Sequence, residues 1–200
     1  TDKSTPIEYR VLNSSGAVVR DWSTAATASL GNGTYSLYAR DAKGNVSAAK
    51  SFTVNNVDTS APNKPALSKS PAATWSKTNV TVTIAHGSDN GVSGVARTEY
   101  STNGGTSWAT YSSALTISST TTVYARTVDR AGNTSANASI QVNIDKTAPA
   151  APKLAKSPNV NWTNGNTAVT ITAGADTGGS GVARTEYSTN GTNWTTYISA

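Results

Sequence analysis

The clearest pattern in the chain is an alternation of apolar and polar side chains over short segments. Between Asn79 and His86, the apolar residues Val80, Val82 and Ile84 alternate with threonines, which predicts a β-strand with one buried face. We find no stretch with the three-to-four-residue apolar spacing of an amphipathic helix. The pattern therefore predicts an all-β protein.

Six more short strands are predicted around this one, separated by turns rich in glycine, asparagine and proline. They cover residues 67–71, 95–102, 108–111, 114–117, 121–128 and 139–144. Seven short strands with turn signals between them are typical of an antiparallel, immunoglobulin-like β-sandwich.

The unit that contains these strands recurs along the chain. The sequence SGVARTEYSTNG occurs at residues 93–104 and again, 87 positions later, at residues 180–191. A fixed self-similarity of this length indicates one folding unit in tandem. We therefore expect the C-terminal part of a module at 1–57, a complete module of about 87 residues at 58–144, and the N-terminal part of a third at 145–200.

Two interpretations of the partial modules remain open. In the first, the chain is a piece of a longer array, in keeping with the absence of methionine. In the second, strands are exchanged between chains, so that one molecule completes the next.

Composition excludes several classes of function. The net charge is +5, but lysine and arginine occur singly, whereas nucleic-acid binding needs clustered basic residues. No segment approaches the 18–20 apolar residues of a membrane span. The absence of cysteine excludes disulfides, thiolate zinc ligands and thiol nucleophiles.

Catalysis is not expected either. His86 is the only histidine, and Gly174 stands at its matching position in the next copy. A nucleophile needs a positioned base, and glycoside hydrolysis needs a pair of carboxylates in a cleft. The acidic residues lie instead in predicted loops, so we expect a protein that is not an enzyme.

The repeated unit resembles the tandem immunoglobulin-like or fibronectin-III-like modules of large bacterial surface and secreted proteins. The resemblance rests on the hairpin EYSTNGGTSW, the strand and turn YARTVDRAGN, and the linker Asp-x-Thr/Ser-Ala-Pro at 58–62 and 145–149. It implies a location outside the cell and a role as spacer, adhesive or carbohydrate-associated module.

Aspartates are concentrated at one predicted pole of each module. In such a sandwich, the N-terminal linker, the loop after the second strand and the last strand-connecting loop share one end, and they carry Asp58, Asp89 and Asp129. With carbonyls of Asn90 and Asn133, these residues would suit Ca²⁺, which takes six to eight oxygen ligands. The other expected members of such sites are Asp145 and Asp176 in the third copy and Asp2 and Asp41 in the first. The alternative is that aspartate only caps turns, which it does well in any loop.

Glutamate–arginine pairs are predicted across neighbouring strands. Glu99 should face Arg126, and Glu8 should face Arg40, whereas Glu186 should find its partner only beyond residue 200.

The tryptophans allow two interpretations. A tryptophan at the same place in each copy is expected to plug the core of a small sandwich. Exposed tryptophans could instead stack on sugar rings, and Trp108 and Trp194, which follow glycine-containing turns, are the candidates for that role.

These observations predict a non-catalytic structural repeat of a long extracellular bacterial protein that serves as a stalk, spacer or adhesive array. Its expected partners are the neighbouring modules, together with glycan or a cell-surface protein, and calcium is its candidate cofactor. Two alternatives are an accessory module of a secreted polysaccharide-degrading enzyme and a subunit of an extracellular filament or phage appendage with strand exchange.

Overall fold

A computed structural model describes residues 6–198, and every regular element within that range is a β-strand. All strand pairings recorded in sheets are antiparallel. The predicted all-β, antiparallel class is therefore confirmed. Within the same range, no helix is long and apolar enough to cross a membrane.

The first four strands form one sheet in the order β2-β1-β3-β4. They are β1 (Glu8–Asn13), β2 (Val18–Ser23), β3 (Gly33–Arg40) and β4 (Lys50–Val54). Val11 and Tyr35 are the buried hydrophobic residues of this sheet, and the Tyr35 ring stacks on Phe52 with 5.6 Å between ring centroids.

The next seven strands form a three-stranded and a four-stranded sheet. The strands are β5 (Ala66–Ser70), β6 (Val80–Ala85), β7 (Val95–Ser101), β8 (Ala109–Thr110), β9 (Leu115–Ile117), β10 (Thr121–Asp129) and β11 (Ala138–Val142). Their orders are β5-β6-β9 and β11-β10-β7-β8. Each coincides with one of the seven predicted strands, with small differences at the ends.

One hydrophobic core joins these two sheets. Strands β6 and β9 contribute side chains from the first sheet, and β10 and β11 contribute them from the second. The core members are Val80, Val82, Ile84, Ile117, Val123, Ala125, Val142 and Ile144. The buried–exposed alternation of β6 agrees with its sequence pattern, and the two sheets form a β-sandwich.

Four further strands follow, β12 (Lys153–Ser157), β13 (Ala168–Thr172), β14 (Glu186–Tyr187) and β15 (Thr195–Thr196). They form two hairpins, β12-β13 and β14-β15. The β12-β13 pairing, in which Lys153 faces Thr172, lies 87 residues after the β5-β6 pairing, in which Ala66 faces Ala85.

Contacts group the chain into two compact units. One comprises the segment up to Lys64 with Gly87–Arg97 and Thr127–Ala136, and the other comprises Pro65–His86, Thr98–Arg126 and the segment from Asn137 onward. The module boundaries at 57/58 and 144/145 stay a prediction.

Candidate metal centre at the aspartate pole

Three aspartates from separate segments meet at one point. Asp58 belongs to the linker after β4, Asp89 to the loop after β6, and Asp129 is the last residue of β10. One carboxylate oxygen from each lies within 4.8 Å of the other two. The structure thus brings together the three aspartates predicted to share a pole.

The loop after β6 is shaped around the Asp89 side chain. One Asp89 oxygen accepts the Gly91 N–H at 3.1 Å, and the other accepts the Gly94 N–H at 2.7 Å. Gly94 has a φ of +75°, a left-handed conformation that glycine adopts without a Cβ clash. Asp89 therefore caps its own turn, which is the alternative role predicted for these aspartates.

Asp58 connects the linker to the same loop. Its oxygens accept the Ser60 N–H and the Ser93 N–H, both at 2.9 Å. A Cβ at Gly91 would lie 2.1 Å from an Asp58 oxygen, so only glycine allows the carboxylate to approach this closely. The linker aspartate is therefore held against the loop that carries Asp89.

Hydrogen bonds lower the pKa of Asp58 from its ordinary value. The Ser93 hydroxyl has the largest effect, followed by the backbone N–H groups of Ser60 and Ser93. The Ser93 hydroxyl lies beside the carboxylate, but its geometry falls short of a full hydrogen bond. Asp58 is thus held in its charged form.

Asp129 is buried, with 1% of its surface exposed. It accepts the backbone N–H of Asn133 at 2.7 Å and the Asn133 side-chain N–H at 2.8 Å. The Asn133 amide also donates to the Asp58 carbonyl at 3.0 Å, which connects the β10–β11 turn to the linker. Asp41 and Asn45 form the same turn in the first sheet.

The two asparagines make hydrogen bonds near the cluster, and their role as calcium ligands stays a prediction. Asn133 directs its amide nitrogen, not its carbonyl, towards Asp129 and Asp58. Its backbone carbonyl accepts the Asp129 N–H. Asn90 forms a reciprocal pair of side-chain hydrogen bonds with Asn63, both at 3.1 Å.

The three carboxylates have no counter-ion among the residues that the structure describes. Within residues 6–198, no lysine or arginine forms an ion pair with Asp58, Asp89 or Asp129. Arg130 follows Asp129, but its guanidinium donates to the Ser93 carbonyl at 3.1 Å. Each carboxylate oxygen accepts one recorded hydrogen bond and keeps further acceptor capacity.

A second copy of this geometry occurs at Asp145 and Asp176. The Asp145 carboxylate accepts the Ser180 N–H at 3.0 Å and its hydroxyl at 2.6 Å, and the Asp176 carboxylate accepts the Gly178 and Gly181 N–H groups. The Ser180 hydroxyl is the main cause of the lowered pKa of Asp145. Among the described residues, no third carboxylate joins this pair in a cluster. Asp2 lies outside the described residues.

The tryptophans do not plug the core, so that expectation was wrong. None of the buried core residues described is tryptophan. Trp108 is half-buried beneath Arg126, whose guanidinium carbon lies 4.1 Å from the ring centroid. Trp194 is 61% exposed and lines an open hollow of about 460 Å³ with Arg184 and Glu186. Neither glycan candidate is buried, and their role in binding stays a prediction.

Two predicted ion pairs are confirmed. Arg40 meets Glu8 at 2.7 Å, and Arg126 meets Glu99 at 2.8 Å. Glu186 pairs at 2.7 Å with Arg184, two residues earlier, and its strand partner beyond residue 200 stays a prediction. Residues two apart in an extended segment point to the same side, so a local partner is within reach.

The similarity of this chain to known proteins lies among solved structures. No protein-family model and no curated protein matches the chain. Fourteen chains of solved structures match it. One structure, of the fibronectin(III)-like modules of Clostridium thermocellum CbhA, is 13% identical and is aligned over 72% of this chain and 80% of that chain, with a TM-score of 0.34.

Proposed function

We propose that this chain is part of a non-catalytic, extracellular array of tandem β-sandwich modules in which Ca²⁺ binds at the junction between consecutive modules. Asp58, Asp89 and Asp129 would hold the ion. The observation that carries this proposal is their convergence from three segments, one of them the linker, with no ion-pair partner in residues 6–198.

The donor set fits calcium. Calcium–oxygen distances are about 2.3–2.6 Å, so two ligands of one ion lie at most about 5 Å apart. The aspartate oxygens, within 4.8 Å of one another, meet that limit. Bound Ca²⁺ would neutralise three like charges and tie the linker to two loops of the following module.

The repeat supports the array. The Asp58–Ser93 contact recurs as Asp145–Ser180, and the Asp89–Gly94 contact recurs as Asp176–Gly181, each 87 residues later. A linear array of such modules gains its stability from each core and from contacts between neighbours. Its role would be to hold other domains at a distance from the cell.

Calcium titration of Asp129→Asn tests the proposal. We expect calorimetry to show Ca²⁺ binding to the wild-type chain and much weaker binding to the variant, because one of the three carboxylates is lost. At about 100 times Kd, calcium would stabilise the wild-type protein by about 2.7 kcal/mol.

Asp41→Asn is the matched control, since Asp41 forms the same turn as Asp129 but belongs to no cluster of three among the described residues. It should bind calcium like the wild type. The proposal fails if the wild-type chain shows neither calcium heat nor a change in melting temperature.

Glycan binding at Trp194 is a second candidate function. The exposed Trp194 ring, beside Arg184 and Glu186 in an open hollow, is suited to stacking on a sugar. Trp194→Ala should remove retardation in affinity gels that contain soluble polysaccharide, while Trp108→Ala should have a smaller effect because Arg126 covers that ring. Equal migration with and without polysaccharide would exclude this role.

A further inference from the structure

Trp75 lies in a segment that is hydrogen-bonded to the residues leading into the third copy. The residue after it, Ser76, donates its N–H to the Asn143 carbonyl at 3.1 Å and accepts the Asp145 N–H at 2.9 Å. The Asn143 side chain donates to the Thr74 carbonyl at 3.2 Å. The residues on both sides of Trp75 are therefore bonded to Asn143, at the end of the second copy, and Ser76 is also bonded to Asp145, the first residue of the linker.

The loop of the third copy is held to the same linker. Ser180 binds the Asp145 carboxylate through its N–H and its hydroxyl. A Cβ at Gly178 would lie 1.7 Å from an Asp145 oxygen, so the loop backbone packs directly on that carboxylate. Ser76, the neighbour of Trp75, and the loop at residues 178–180 thus both contact Asp145.

The Trp75 ring packs on Gly179. A Cβ at Gly179 would lie 3.1 Å from Cη2 of Trp75 and 3.7 Å from Cζ3, so the edge of the indole covers the bare Cα. Gly179 has a φ of +102°, which residues with a side chain rarely adopt. The backbone conformation therefore favours glycine here, and a side chain would also press on the edge of the indole.

The corresponding loop of the second copy differs at this position. Val92 stands 87 residues before Gly179 and is 70% exposed. No residue other than glycine has a positive φ among those described, so the backbone at Val92 does not follow that of Gly179. The aspartate contacts on either side are the same in both loops. The difference is therefore local to the point where Trp75 packs.

We propose that Trp75 and Gly179 form a docking pair that selects which copies of the unit can be neighbours. A copy that carries tryptophan at this position accepts a following loop with glycine, and a β-branched residue such as Val92 does not fit the same contact. Trp162, 87 residues after Trp75 and 92% exposed, would take a glycine-bearing loop of another copy in the same way. This inference rests on the proposed array, but it does not depend on calcium.

Fluorine NMR of the full chain tests the pair. 5-Fluorotryptophan is incorporated at all five tryptophan positions. Each fluorine resonance is assigned by its loss in a single Trp→Ala variant. Gly179→Val should shift the Trp75 resonance and leave that of Trp162 unchanged. Gly181→Ala is the matched control, because Gly181 also has a positive φ, of +80°, but has nothing within 4 Å of its Cβ position. An unchanged Trp75 resonance in Gly179→Val, or an equal shift in Gly181→Ala, would overturn the proposal.

Trp75→Ala tests the same contact without altering the loop backbone. We expect amide exchange at Gly178 and Ser180 to accelerate by about tenfold, equivalent to about 1.4 kcal/mol. Trp162→Ala should leave these rates unchanged, and equal rates in both variants would contradict the docking pair. Calcium binding at Asp58, Asp89 and Asp129 separates the two proposals, and it should be equal in Trp75→Ala and in the wild type. If the wild-type chain binds no calcium, only the calcium site is refuted.

Discussion

At the residue scale, the aspartate turns combine local and long-range contacts. Asp41 and Asn45 form a self-contained turn, whereas the matching Asp129 and Asn133 also reach the linker at Asp58. The local hydrogen bonds alone would explain why aspartate stands in these turns. They do not explain why three carboxylates from separate segments converge. Only substitution of one of the three aspartates tests the role of that cluster.

The Asp41 turn should lose stability in acid. Its pKa is lowered, first by the Asn45 side chain and then by the Asn45 backbone N–H. Because the folded pKa lies below the unfolded value of about 3.9, the stabilisation is present above that pH and is lost as the pH falls through the folded pKa. Asn45→Ala should raise the pKa of Asp41, measured from its carboxyl carbon by NMR.

The control for this measurement is Lys43→Ala. Lys43 contributes its backbone N–H to Asp41 at 2.8 Å, and alanine keeps that donor. The pKa of Asp41 should therefore stay as low as in the wild type. If Asn45→Ala titrates like the wild type, the side-chain hydrogen bond does not cause the shift.

Arg126 should contribute to stability through two contacts. It pairs with Glu99, whose side chain is 11% exposed, and stacks on Trp108. Arg126→Ala should lower the free energy of unfolding by about 1–2 kcal/mol, the sum of an ion pair and a cation–π contact. In Arg184→Ala the loss should be below about 0.5 kcal/mol, because that pair is solvent-exposed. Urea unfolding measures both, and equal losses would contradict this account.

What the sequence could predict at this scale depends on how far apart the partners lie. Glu99 and Arg126 were predictable because strand order fixes which side chains face each other. The local pair of Glu186 with Arg184 was not predictable in this way: Glu99 also has an arginine two residues earlier, and the position that matches Arg126 lies beyond residue 200. The place of Trp75 was not predictable either, since repetition does not distinguish a core position from a junction position.

At the scale of single elements, the central strands were predictable and their packing partly so. In β6 the period-two pattern predicted both the strand and its buried face. Val82 and the other apolar residues of this strand do face the second sheet. The same pattern in β13 does not give burial. Val169, at the position of Val82, is 48% exposed. Burial depends on the covering strands, which local sequence does not contain.

This pair of valines allows a matched test. Val82 is fully buried, so Val82→Ala should lower the free energy of unfolding by about 2 kcal/mol, from two lost methylene equivalents and a residual cavity. Val169→Ala should change stability by less than about 0.5 kcal/mol. Urea unfolding followed through the amide signals of β10 measures the first, and signals of β12 measure the second. Similar losses at both sites would show that Val169 is covered in solution.

At the scale of the whole molecule, the repeat supplies parts that are similar but not identical. The contacts of Asp58 and Asp145 with the following loops coincide, while Val92 and Gly179 differ between those loops. Self-similarity therefore predicts the recurring scaffold. The difference between Val92 and Gly179 is visible in the sequence, but only the structure shows that the Trp75 ring packs on Gly179.

Calcium at the linker should restrict the freedom between the first sheet and the sandwich that follows. Lys50→Cys and Ser139→Cys introduce the only thiols of the chain at exposed positions, one in β4 and one in β11, for spin labelling. The distance distribution from pulsed electron paramagnetic resonance should be broader in chelator than in calcium, because the proposed ion would connect Asp58 to Asp89 and Asp129. Potassium chloride at matched ionic strength should not narrow the distribution, since screening alone adds no ligand contacts.

The narrowing of the distance distribution by calcium should disappear in Asp129→Asn and persist in Asp41→Asn. A distribution that calcium leaves unchanged would mean that the linker is already fixed by the hydrogen bonds of Asp58, and the ion would then have no mechanical role.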